Sequence, residues 1–88
     1  MVSQEVKIVN PTGLHLRPAG VLCETAMKYN CKITFTTDDN YEANAKSVLS
    51  VLGACVKSGQ IITLICDGED EDRALADLVT SIERGLGE

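Results

Sequence analysis

Val6 and Ile8 alternate with Glu5 and Lys7, the period-two pattern of a strand with one buried face. Asn10-Pro11-Thr12-Gly13 breaks that pattern. Between Pro18 and Tyr29, apolar or small residues fall at 18, 21, 22, 25, 26 and 29, which is helical spacing. Ile33 and Phe35 then alternate with Lys32, Thr34 and Thr36 as a second strand. Thr37-Asp38-Asp39-Asn40 reads as a hairpin turn into a short third strand near Tyr41 to Asn44. Ser47 is placed to cap a brief helix reaching about Cys55. After a turn at Lys57-Ser58-Gly59, the apolar run Ile61 to Cys66 has the character of a central strand. Leu75, Leu78, Val79 and Ile82 share one face of a last helix, with Glu69 to Asp72 at its positive end and Arg84-Gly85 as its stop.

The predicted order is βαββαβα. The strands at 5–8 and 32–36 each carry an apolar face and a charged or Thr-rich face. That pattern predicts an α+β fold: an antiparallel sheet with all helices on one side and water on the other. No repeat or linker interrupts it, and the 88 residues are expected to form a single domain, 1–88.

Composition narrows the function classes. With one Phe, two Tyr and no Trp, the core must be aliphatic. A net charge of −5 suits neither a nucleic-acid backbone nor an acidic membrane surface. Glu5 and Lys7 interrupt the first apolar stretch, so the N-terminus reads as neither signal peptide nor spanning helix, and a cytoplasmic protein is expected. Cys23, Cys31, Cys55 and Cys66 form no Cys-x-x-Cys pair, and the single histidine stands eight residues before Cys23. Free buried thiols are therefore expected, with no metal and no cofactor.

The candidate chemistry lies in Gly13-Leu14-His15-Leu16-Arg17-Pro18-Ala19-Gly20. His15 falls where a loop becomes a helix. The free N–H groups and dipole of the first turn favour an anion there, Arg17 adds a permanently charged fork, and Pro18 removes a donor the first turn does not need. A neutral imidazole nitrogen can attack phosphorus without a separate strong base. A helix-capping histidine without chemistry is the competing reading. Gly20, unfavourable inside a helix, points to close approach by a partner or another element.

Ser47 needs no role beyond its cap, although a phosphate there would meet the same helix's positive end. Val48, Leu49, Val51, Leu52, Cys55 and Val56 leave that helix apolar nearly all round. It is either buried throughout or exposes a docking patch. Nothing else suggests independent turnover, since there is no phosphate-cradling Gly-rich loop with Lys and no nucleophile elbow.

The stretch from Gly13 to Gly20, followed by Lys46-Ser47-Val48-Leu49-Ser50-Val51-Leu52-Gly53 and a Gly85-Leu86-Gly87-Glu88 ending, resembles HPr across essentially the whole chain. HPr is the phosphocarrier family of the bacterial sugar phosphotransferase system. The resemblance implies an open-faced β-sandwich of four antiparallel strands and three helices. It implies that His15 receives phosphate from enzyme I, which draws it from phosphoenolpyruvate, and passes it to sugar-specific IIA proteins, with Arg17 stabilising the phosphate. Ser47 matches a serine modified by HPr kinase/phosphorylase in many Gram-positive bacteria, where the phosphoserine form binds a catabolite-control repressor. Leu16, Gly20, Leu49 and Leu52 match the family's shared docking surface, and a relay that meets several partners through one surface is expected to be a monomer. The chain departs from the family in three ways: Leu49 and Leu52 replace common methionines, the turn at Asp38 to Asn40 runs one residue longer, and four cysteines are unusual. Two other classes stand beside the relay: a regulatory module that uses Ser47 and the adjacent apolar helix to bind a transcription factor, and a cysteine-based metal module.

Overall fold

A computed structural model describes residues 1–88. Its elements are strand β1 (Val2–Lys7), helix α1 (Leu16–Met27), β2 (Lys32–Thr36), β3 (Glu42–Asn44), α2 (Val48–Gly53), β4 (Ile61–Asp67) and α3 (Glu71–Glu83). The four strands make one antiparallel sheet in the order β1-β4-β2-β3. Type and order of all seven elements agree with the hydrophobic pattern.

The central position of β4 follows from its apolar run. Its inward residues Ile62, Leu64 and Cys66 are buried, and both edges are paired, to β1 and to β2. Val6, Ile33, Phe35 and Ala43 face the same way. Ala19, Leu22 and Ala26 of α1, Val51 of α2, and Ala74, Leu78, Val79 and Ile82 of α3 close over them. Full burial of each large side chain contributes about 1.5–3 kcal/mol, so a core with Phe35 as its only aromatic residue rests on many aliphatic contacts.

Several expectations are corrected. β1 begins at Val2 and ends at Lys7, where 5–8 was expected. Ile8 lies past the strand yet fully buried, because its amide donates to the Gln60 carbonyl at 2.9 Å. Helix α1 starts two residues before Pro18, at Leu16, and ends before Tyr29. On the open face, Thr34 is buried, not solvated, since it sits between Ile65 of β4 and Asn44 of β3 in the middle of the sheet. In α3, Leu75 is only half-buried and Ala74 takes the inward place. Three cysteines are buried as expected, but Cys55 is exposed. The chain leaves α2 there in a left-handed conformation (φ 53°), which turns residue 55 outward. Burial pushes the Cys66 thiol up to about 11 and raises Cys23 and Cys31 as well, so those thiols are inert.

Candidate functional site

His15 is the N-cap residue of α1, with extended backbone (φ −75°, ψ −177°). Its carbonyl accepts the first helical bond from the Ala19 amide at 2.8 Å. Its side chain makes no capping hydrogen bond, and the residue is exposed. The imidazole is thus at a cap position without acting as a cap. Pro18 has no N–H, so the orphan donors of this first turn are the amides of Leu16 and Arg17. They and the positive end of the helix dipole favour an anion beside the ring.

The loop before His15 is fixed from within. Leu14 is buried and its amide donates to the Val56 carbonyl at 3.0 Å. Gly13 has φ +69°, and a Cβ there would lie 2.5 Å from the Val56 carbonyl oxygen and 2.9 Å from the Lys57 Cα. Only glycine lets the loop pass so close to the 56–57 backbone. The Asn10 side-chain amide also donates to the Gly13 carbonyl from a buried position. Leu14 pointing inward and His15 outward follow from that clamp.

A cleft of about 600 Å³ opens beside the imidazole, lined in part by Thr12, His15, Leu52, Cys55 and Lys57. Of the residues singled out in the sequence, Leu52 therefore shares a wall with His15. Leu16, Arg17, Gly20, Ser47 and Leu49 lie outside the cleft. Leu16 is 69% exposed and Leu49 83%. On α2 only Val51 is fully buried; Leu49 is exposed, and Val48 and Leu52 are partly buried against the core, so the helix is not buried throughout. Gly20 is half-exposed and a Cβ added to it would meet nothing within 4 Å, so no element of the chain approaches it closely. Ser47 is the N-cap of α2, and its hydroxyl oxygen accepts from the Ser50 amide at 3.2 Å. No three His, Cys, Asp or Glu side chains gather in a metal-binding arrangement, and no helix is long and apolar enough to cross a membrane.

Sequence reasoning missed Glu88. Its carboxylate accepts from the Thr12 hydroxyl at 2.7 Å and from the Asn10 amide at 3.3 Å, tying the chain's end to the His15 loop. The Thr12 hydrogen bond, then the Asn10 bond, with Arg17 nearby, hold the carboxyl below the ordinary glutamate range. A depressed folded value means the tie contributes above the unfolded pKa and is lost as pH falls through the folded one. In a carbon-detected NMR titration Glu88 is expected to titrate below a free glutamate, and Thr12→Val to move it back up. An unchanged midpoint in Thr12→Val would refute the tie. No local pattern could have revealed a contact spanning 76 residues.

The family described as PTS HPr component phosphorylation site matches residues 2–84. The phosphocarrier protein HPr of Lysinibacillus sphaericus is 38% identical, over the full length of both chains. The crystal structure of HPr-C-His from Thermoanaerobacter tengcongensis superposes with a TM-score of 0.94 at 36% identity, covering 100% of this chain and 98% of that one. A crystal structure of Crh, described as a Bacillus subtilis catabolite repression protein forming a domain-swapped dimer, matches with a TM-score of 0.77 at 33% identity over 96% and 95% of the two chains.

Proposed function

The chain belongs to the HPr family of phosphocarriers of the phosphotransferase system, and from that premise we propose that His15 is the residue that carries the phosphoryl group. The observation that supports this most is the free imidazole at the start of α1, exposed and making no capping bond, next to the orphan amides of the first turn, with Arg17 two residues on in the chain. A ring nitrogen attacks phosphorus, an N–P bond forms, and the bond to the donor breaks. The orphan amides and Arg17 meet the charge on the phosphoryl oxygens. Enzyme I is the donor, charged by phosphoenolpyruvate, and sugar-specific IIA proteins are the acceptors. The protein works in the cytoplasm as a single-domain monomeric relay without turnover of its own. The exposed Leu16 and Leu49 and half-exposed Gly20, with Leu52 at the cleft, form the surface on which both partners dock.

Ser47 adds regulation to this reading. A phosphate on the α2 cap would place charge beside the apolar patch and weaken docking without unfolding the helix.

One assay tests these points. The protein is incubated with phosphoenolpyruvate and enzyme I, weighed intact, and then offered to a IIA protein. One acid-labile phosphate that passes to the acceptor is expected, with Leu49→Ser and Ser47→Asp both charging more slowly. A folded protein that gains nothing would sink the relay, and unchanged rates in the two variants would remove docking and regulation from the reading. Light scattering decides between a monomer and the swapped dimer described for Crh.

The purely regulatory reading, favoured by the likeness to Crh, requires Ser47 and the adjacent apolar helix to govern partner binding with His15 idle. The free, exposed His15 counts against it.

A further inference from the structure

Arg17 is not the only cation near His15. Lys57 lines the same cleft as the imidazole, and its Cα packs against Gly13, two residues before it. Its backbone is held at three points: its amide donates to the Gln60 side chain at 3.1 Å, its carbonyl accepts from the Gln60 amide at 3.1 Å, and the preceding carbonyl of Val56 accepts from Leu14. The side chain is exposed and enters no ion pair, since both ion pairs of the protein involve the Met1 amino group. Arg17 also enters no ion pair, but it lies outside the cleft. A chain of net charge −5 thus keeps a lysine free of ion pairs on the lining of the cleft that holds its only histidine.

We propose that Lys57 is a second cationic contact for the phosphoryl group on His15, stabilising the phosphorylated state from the cleft side. The inference rests on the reading of His15 as phosphoryl carrier. A phosphoryl group brings close to two negative charges at neutral pH. The lysine stem can carry its ammonium toward them while the clamped backbone keeps its origin fixed. Its partner exists only after transfer, so the contact favours the charged carrier over the free one and shifts the transfer equilibrium. Solvent screens this exposed pair, and its effect is correspondingly modest and salt-dependent.

The test compares wild type, Lys57→Met and Lys57→Arg, each equilibrated with enzyme I, phosphoenolpyruvate and pyruvate. The ratio of phosphorylated to free protein is read by intact mass. Lys57→Met is expected to lower that ratio about three- to fivefold at low salt, in keeping with an exposed charge pair. The difference should shrink toward nothing at 1 M salt, and Lys57→Arg should restore most of the loss. Circular dichroism checks the fold, which the side chain does not support. A ratio unchanged in Lys57→Met overturns the proposal. So does a change that persists in high salt, or one confined to the KM for enzyme I, which would assign Lys57 to docking instead. Wild-type protein that takes up no phosphate defeats the His15 reading, and this inference with it; wild type that charges normally beside an indistinguishable Lys57→Met defeats this inference alone.

Discussion

His15→Ala is expected to abolish acid-labile phosphate uptake completely while leaving the fold and its thermal midpoint nearly unchanged. Both halves come from the same geometry. The imidazole is exposed and makes no capping bond, so its removal strands no donor and opens no cavity. The backbone at residue 15 is extended, which alanine adopts freely. The helical bond from Ala19 uses the carbonyl of residue 15 and survives the change. The chemistry has no substitute, because there is no other histidine in the sequence. Intact mass after incubation with enzyme I and phosphoenolpyruvate, paired with thermal unfolding, checks both halves. Acid-labile phosphate persisting in His15→Ala would mean that another group carries it. A large drop in the midpoint would mean that the ring has a structural role invisible in its contacts.

Gly13→Ala is expected to do the opposite: to damage the fold first and the chemistry as a consequence. A left-handed alanine costs about 1–2 kcal/mol. The added Cβ also meets the Val56 oxygen at 2.5 Å and the Lys57 Cα at 2.9 Å, both backbone atoms that no side-chain rotation can move. Relieving such an overlap costs about 1–3 kcal/mol more. At roughly 4–8 °C per kcal/mol for a domain of this size, the midpoint should fall by about 10 °C or more. The displaced loop carries Leu14 out of its bond to Val56 and shifts His15 relative to α1, so phosphate uptake slows even where the variant remains folded. A drop of only a degree or two, with normal uptake, would show that the clamp between the two loops is loose.

The two variants mark how unevenly the site was written in the sequence. His15, Arg17 and Pro18 sit within four consecutive residues at a loop-to-helix junction, and the physics of a helix N-terminus is local. That part was legible without coordinates, as was the N-cap at Ser47. The rest of the site comes from elsewhere. Lys57 and Cys55 reach the cleft because the turn after α2 is pinned to Leu14 and Gly13. Glu88 reaches Thr12 and Asn10 through a contact between the ends of the chain. Nothing in the residues near position 57 or 88 marks them as neighbours of position 15. Cys55 shows the limit in the other direction: a cysteine in an apolar run reads as core, and only the left-handed turn at that residue exposes it.

For the fold, the periodicity of apolar positions was sufficient for the type and order of every element, since the pattern a strand or helix must bury is carried by its own residues. It was also sufficient for the central place of β4, whose run is apolar enough to need a neighbour on each side. Tertiary structure decided what depends on partners. It extended β1 back to Val2 by pairing that residue with Cys66, although Ser3 and Gln4 have no strand-like pattern of their own. It buried Thr34 by flanking it with Ile65 and Asn44. It left Leu49 almost wholly exposed while its neighbour Val51 became core. The sequence by itself determined where His15 would sit along the chain and what its ring could do. Which residues face that ring was decided by long-range packing, because burial and proximity belong to pairs of segments and not to either one alone.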